Sequence, residues 1–241
     1  IQERLNTLHG YRVRQASQYD KELCMDADLI VEFVKSTQPK SWEKLTGQYG
    51  SDAENQFLKR LDGEITNRGL LSVLREGISD RGVKFDLAYW KPGNTLNEEA
   101  WQKYQQNIFS VTRQVKYSTQ SEKSIDIVIF FNGLPIFTVE LKNLLTNQNV
   151  QDAIRQYQTD RDPKEKLLTF KRCLTHFALD TDQVYMTTKL DGLRTRFLPF
   201  NKGNDNASGN PAVEGKYKTH YVWEEIWEKD SVLDLLANFI H

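Results

Sequence analysis

The spacing of apolar residues divides the chain into a helical first part and a strand-rich remainder. Apolar residues recur with the helical period of about 3.6 around Phe33 and Val34, and again around Phe57 and Leu61. From residue 83 onward they alternate with polar residues, which is typical of strands that bury one face. The pattern predicts an α/β fold in which helices flank a mixed β-sheet, with a helical N-terminal region.

The elements of this fold can be placed along the chain. Strands are predicted at 83–90 and 108–118, as a hairpin at 124–143, and at 172–180, 183–190 and 195–200; helices are predicted at 97–107 and 149–161. Residues 201–219 are rich in Gly and Asn and have no period, which predicts a flexible loop or linker. Residues 1–200 are then one domain, and residues 220–241 form a helical connector after it.

Composition and charge narrow the possible functions. The net charge is −1, so any DNA binding must come from a local patch or from partner subunits. Cys24 and Cys173 are too few for a disulfide scaffold and indicate small buried side chains in a reducing cytosol. No run of about 18 apolar residues is present, so we expect a cytoplasmic protein without a membrane span.

The hairpin "SIDIVIFFNGLPIFTVELKN" carries charges where a charge is costly to bury. With a two-residue period, Ile125, Ile127, Ile129 and Phe131 share one face of the first strand, and Asp126 lies on the other. On the second strand, Glu140 and Lys142 share a face. If the apolar faces of both strands coincide, Asp126, Glu140 and Lys142 form one cluster at the same end of the hairpin.

Three interpretations of this cluster are open. Lys142 could form a structural salt bridge with either carboxylate, or the charges could lie near strand ends in water by chance. Alternatively, Asp126, Glu140 and the backbone carbonyl of Leu141 could bind Mg²⁺, which prefers oxygen ligands and keeps several waters. A neighbouring lysine could then orient an attacking water and stabilise charge on a phosphate.

The metal-site interpretation requires a particular hairpin register. A strict two-residue turn at Asn132-Gly133 would place Asp126 and Glu140 on opposite faces of the sheet. A three-residue connection, or a bulge favoured by Pro135, brings them to the same face. We therefore expect a turn that differs from the simple hairpin that Asn-Gly suggests.

The segments "SID" and "ELK" on adjacent strands, followed by a helix, resemble the PD-(D/E)xK nuclease motif. Together with "NIFSVTRQVKYS", "NVQDAIRQYQTDRDP", "VYMTTKLDG" and "YDKELCMDADLIVEFVKSTQPKSWEKL", they resemble the N-terminal endonuclease domain of the motor (R) subunit of type I restriction enzymes. The resemblance extends over most of the chain. It implies a restriction-endonuclease-like fold.

The resemblance also implies a chemistry and partners. Asp126 and Glu140 would hold Mg²⁺ and Lys142 would complete the active site for cutting double-stranded DNA. The family's subunit continues into an ATP-driven translocase and works with modification and specificity subunits. This chain has no G-x-x-x-x-G-K-[ST] phosphate loop, so ATP would serve only a motor outside it, toward which residues 220–241 would lead.

Two further residues are candidates through the resemblance. Family members often carry Gln-x-x-x-Tyr on the helix after the lysine, but Ala153 stands where that Gln would be. Gln156 and Tyr157 are the nearest substitutes, with a role in DNA binding or ordinary surface and packing roles both open.

Two rival functions remain. One is a scaffold or docking domain with little activity without its motor and partners. The other is a two-carboxylate glycosidase, which gives Lys142 no task.

Overall fold

The computed structural model describes residues 1–94, 96–143, 145, 147–204 and 207–239. Nine strands are assigned in this part of the chain: β1 Arg12–Arg14, β2 Ile78–Asp80, β3 Val83–Phe85, β4 Phe109–Lys116, β5 Ser124–Phe131, β6 Leu134–Leu141, β7 Thr175–Leu179, β8 Val184–Thr187 and β9 Leu198–Pro199. Its α-helices are α1 Gln2–His9, α2 Ala27–Thr37, α3 Pro39–Tyr49, α4 Ala53–Arg68, α5 Leu70–Glu76, α6 Glu98–Gln105, α7 Val150–Thr159 and α8 Lys229–Asp234.

Seven strands form one mixed sheet in the order β1-β4-β5-β6-β7-β8-β9. The β5–β6 hairpin is its centre, with β4 antiparallel to β5 and β7 parallel to β6. The α7 helix lies in the connection between β6 and β7, as a parallel crossover requires. The predicted α/β fold with a mixed sheet, flanking helices and a helical N-terminal region is confirmed.

Both faces of the central hairpin are covered, which explains why its strands are apolar almost throughout. Ile127 and Ile129 lie in a core cluster that includes side chains of α2, α4 and α5. Val128 and Phe130 lie in a second cluster, where Tyr157 of α7 packs. The sheet thus separates two cores, and α7 covers one of them.

Ile125 does not follow the predicted face. It packs in the second core cluster with Val115, whereas Ile127 packs in the first with Val111. Gln114 of β4 has a φ of 51°, which breaks the regular alternation of the strand at this level. The end of the sheet where Asp126 lies is therefore irregular.

The predicted strand at 83–90 is mostly wrong. Only β3 is extended, and it pairs with β2 in a separate two-stranded sheet. Beyond β3, side chains satisfy the backbone: Gln38 accepts the N–H of Asp86, and Asn132 donates to the carbonyl of Leu87. Leu87 is buried, so the alternation reflects burial of a loop and not pairing in the main sheet.

The C-terminal segment packs on the first core cluster. It forms a π-helical turn at Val222–Ile226, then α8, then a second π-helical turn at Leu235–Phe239. Trp227 is fully buried, and its carbonyl accepts a hydrogen bond of 2.9 Å from Tyr11 Oη. The division of the chain at residues 200 and 219 stays a prediction.

Cys24 and Cys173 are free and buried, as their number suggested. Within the described residues, no helix has the length and apolar character needed to cross a membrane.

Candidate active site

The turn of the central hairpin is the simple two-residue connection, so our expectation of a different turn is wrong. Phe131 pairs with Leu134, and both turn residues are left-handed, with φ of 49° at Asn132 and 82° at Gly133. Glycine is required here because a Cβ at Gly133 would lie 2.5 Å from the carbonyl oxygen of Asp26. The turn is thus fixed against the start of α2.

A bulge restores the register that the metal-site interpretation requires. Phe130 pairs with Pro135, but the preceding Ile129 pairs with Phe137, so Ile136 is an extra residue in β6. Proline has no N–H to donate, which favours this interruption of the ladder. The predicted bulge route is confirmed. The paired residues of this ladder end at Ile127–Val139. Beyond it, the N–H of Leu141 donates to Asp126, and the charge of Asp126 acts on Glu140, so the two carboxyl groups lie near each other.

Asp126 is half-buried and held by two donors. Its Oδ1 accepts a hydrogen bond of 3.0 Å from Gln114 Nε2, and its Oδ2 accepts one of 2.9 Å from the backbone N–H of Leu141. The second bond crosses from β5 to β6 beside Glu140. Asp126 is therefore fixed at the end of the hairpin by the irregular β4 and by β6.

Glu140 is fully buried, which excludes the interpretation of charges exposed to water at strand ends. Its Oε1 accepts from Arg161 Nε and is also 2.7 Å from Arg161 Nη2, while its Oε2 is buried and finds no hydrogen-bond partner among the described residues. Burial raises the pKa of Glu140 to about 8 against the opposing effect of Arg161. The nearby charge of Asp126 raises it further.

Lys142 follows β6 directly and is tied to α7. Its backbone N–H donates to the carbonyl of Leu179, and its Nζ donates a hydrogen bond of 2.6 Å to Gln156 Oε1. The salt bridge of Glu140 is thus made by Arg161 and not by Lys142, in contrast to the first structural interpretation. The structure places Gln156 at the site through its contact with Lys142.

Tyr157 points into the second core. It is fully buried, and its Oη is 2.8 Å from Thr138 Oγ1. Burial raises the pKa of Tyr157 far above its ordinary value. Thr138 Oγ1 is also 2.7 Å from Nδ1 of His176, whose pKa burial lowers to about 3. Tyr157 therefore packs α7 against the sheet, and Gln156 reaches the site through Lys142.

The position of α7 is fixed at its first turn. Asn149 and Asp152 form a capping box, and the N–H of Val150 donates a hydrogen bond of 2.8 Å to Asp180 Oδ2, just beyond β7. This anchor helps to place Gln156 beside Lys142 at the end of β6.

Arg161 is the site residue that sequence reasoning missed. It lies just beyond α7, is 5% exposed, and its Nη2 also donates 2.7 Å to the carbonyl of Ser124 at the start of β5. Its position at the end of the predicted helix 149–161 gives no sign of this contact. The sequence indicates such a partner only indirectly, because a glutamate buried in an apolar strand needs a cationic group beside it.

The described structure is a mixed α/β domain with two carboxylates and a lysine at one end of its central hairpin. Residues 1–195 match the family of the type I restriction enzyme R protein N terminus, and the chain belongs to this family. It is also similar to the putative type I restriction enzyme MjaVIIIP endonuclease subunit of Methanocaldococcus jannaschii, with 24% identity over 258 residues. That comparison covers 100% of this chain but 22% of the relative, so the chain spans about a fifth of its length.

Proposed function

We propose that this chain is the nuclease domain of a type I restriction enzyme R subunit and cleaves double-stranded DNA in a Mg²⁺-dependent reaction. The observation that carries the proposal is the buried Oε2 of Glu140, which has no hydrogen-bond partner among the described residues, in a carboxyl group that lies near Asp126. Two adjacent carboxylates, one of them buried, are stabilised by a proton or by a cation. Family membership favours the cation.

The donor set fits Mg²⁺. Among the described residues, no group of three or more His, Cys, Asp and Glu side chains is arranged to hold a metal. Two carboxylates supplemented by the backbone carbonyl of Leu141 suit Mg²⁺, which binds few protein groups and keeps several waters. Asp126 and Glu140 would hold the ion. When bound, it would supply Lewis-acid polarisation of the scissile phosphate.

Lys142 would perform the part of the reaction that the metal does not. Its ammonium group is held by Gln156, so it is positioned before substrate arrives. There it would orient the attacking water and stabilise negative charge that develops on the phosphate. A glycosidase would need an acid and a base flanking an open cleft, and the buried ion pair of Glu140 with Arg161 argues against that assignment.

The rest of the reaction requires parts outside this chain. The relative is named an endonuclease subunit, and the chain spans 22% of it. We infer a cytoplasmic complex in which an ATP-driven motor, a modification subunit and a specificity subunit cooperate with this domain. The net charge of −1 supports this inference, because phosphate contacts from basic residues normally supply most non-specific DNA affinity.

One observation favours the alternative of a docking domain with weak activity alone. Arg161 occupies Oε1 of Glu140, so one oxygen of this proposed metal ligand is already engaged. The nuclease and docking proposals predict different results when the carboxylates are replaced. A docking domain without its carboxylates would still allow the assembled enzyme to cut DNA, whereas a nuclease domain would not.

The test is plasmid cleavage by the assembled enzyme with Asp126→Asn, Glu140→Gln or Lys142→Met in this domain. These changes preserve side-chain size, and each is expected to abolish Mg²⁺-dependent cutting while ATP hydrolysis continues. Chelation by EDTA should abolish cutting by the wild type. If all three variants cut DNA at the wild-type rate, the proposed active site is wrong and the docking alternative stands.

A further inference from the structure

Arg161 contacts Glu140 in an unusual way for an arginine–carboxylate pair. Such pairs are frequently fork-to-fork, with one donor on each oxygen. Here Nε and Nη2 both lie 2.7 Å from the same oxygen, Oε1. Within the part of the chain that the structure describes, Oε2 is buried without a hydrogen-bond partner, and the carboxyl group as a whole lies near that of Asp126.

We propose that Arg161 is a positioning residue that holds Oε1 of Glu140 so that Oε2 faces the divalent cation. This inference rests on the proposed function and adds a residue to it. Groups behind metal ligands fix the orientation of those ligands, and their loss weakens metal binding.

The surroundings of Arg161 keep it in place. Its Nη2 also donates to the carbonyl of Ser124, two residues before Asp126. Its guanidinium lies 5.6 Å from the ring centroid of Tyr117, which packs in the second core cluster. One side chain thus links the start of β5 to the end of β6, the two strands that carry the proposed ligands.

A purely structural ion pair does not explain the free oxygen. Leaving a buried carboxylate oxygen without a partner is unfavourable, and a fork that used both oxygens would remove that cost. In the observed arrangement Nε donates to Oε1, and Nη2, which also lies close to Oε1, donates to the carbonyl of Ser124. A cation shared between Oε2 and Asp126 completes the arrangement.

Arg161→Lys separates charge from geometry, because an ammonium retains the charge but cannot present two donors in one plane. Arg155→Lys is the matched control, since Arg155 lies exposed on the surface of α7. Mn²⁺ binding to the 241-residue chain would be measured by isothermal titration calorimetry, with thermal unfolding measured in parallel.

We expect Arg161→Lys to raise the dissociation constant for Mn²⁺ by about 10- to 100-fold, and Arg155→Lys to leave it unchanged. Lower thermal stability of Arg161→Lys with wild-type Mn²⁺ affinity would show a structural role only and overturn the proposal. If the wild type binds no Mn²⁺, the proposed metal-dependent function is wrong. If the wild type binds Mn²⁺ and Arg161→Lys binds it equally well, only the proposed role of Arg161 is wrong.

A measurement on the wild type keeps the test independent of variant folding. The Nε–H of Arg161 can be followed by ¹⁵N NMR while Mg²⁺ is added. A positioning residue keeps its hydrogen bond, so the signal should remain protected from exchange with water when the metal is bound. Release of this N–H on metal binding would show that Arg161 competes with the cation, which contradicts the proposal.

Discussion

Asp126 and Glu140 come near each other because β6 contains one residue more than a regular hairpin would. The turn itself is the two-residue connection at Asn132-Gly133, which alone would put the two carboxylates on opposite faces. Ile136 is the extra residue, and it shifts the ladder by one position before Glu140 is reached. The site thus depends on a tight turn and a bulge acting together.

The turn is expected to be intolerant of substitution. Gly133→Ala introduces a left-handed alanine and a Cβ 2.5 Å from both the carbonyl oxygen of Asp26 and Cγ1 of Ile30. We expect it to lower the free energy of unfolding by about 2–4 kcal/mol, combining backbone and overpacking costs. Urea unfolding measures this change.

Gly82→Ala is the matched control for the turn. Gly82 has a similar φ of 79°, but a Cβ there meets nothing within 4 Å. Only the backbone cost of about 1 kcal/mol is expected. Equal losses of stability in both variants would show that contact with α2 does not constrain the turn.

The sequence predicted the parts of the site that depend on local pattern. Alternation along the hairpin placed Asp126 and Glu140, and the need to bury one face of each strand selected an even register. Pro135 indicated a possible bulge because it lacks an N–H. The sequence did not predict whether a bulge or a longer turn would produce the even register. The packing of Gly133 against α2 decides this, because it requires the two-residue turn.

The remainder depends on contacts that are distant in sequence. Arg161 is 21 residues from Glu140, and nothing in its local pattern marks it as the partner. The strand predicted beyond Phe85 failed for a similar reason, because Gln38 and Asn132 satisfy the backbone of that loop. Tertiary contacts therefore override the local alternation in both cases.

Tyr157 is predicted to act in packing and not in cleavage. Its Oη contacts Thr138 Oγ1 inside the second core. Tyr157→Phe should cost about 1 kcal/mol of stability through the lost hydrogen bond, with DNA cleavage by the assembled enzyme unchanged. A fall in cleavage rate of 10-fold or more in a folded variant would place its hydroxyl in the reaction.

Gln156, in contrast to Tyr157, is predicted to affect DNA cleavage and to have little effect on stability. Gln156→Ala removes the acceptor that holds Lys142 Nζ, so the lysine should be misplaced and cleavage should fall by about 10- to 100-fold. Because Gln156 is only part-buried, stability should change little. Gln151→Ala, at an exposed position in the first turn of α7, is the control and should cleave like the wild type. Identical rates for both variants would show that Lys142 needs no support from α7.

His176 should make the domain less stable at acidic pH. Burial lowers its pKa from 6.5 to about 3, so between these values the unfolded state binds a proton that the folded state does not. The free energy of unfolding should therefore fall as the pH falls below about 6.5, by roughly 1.4 kcal/mol per pH unit from this group.

Carboxylates also titrate in this range, so the wild type is compared with His176→Gln. The variant should lose less stability between pH 6.5 and 4.5, as measured by urea unfolding at each pH. Parallel pH profiles of the two proteins would show that His176 is not held neutral in the folded state.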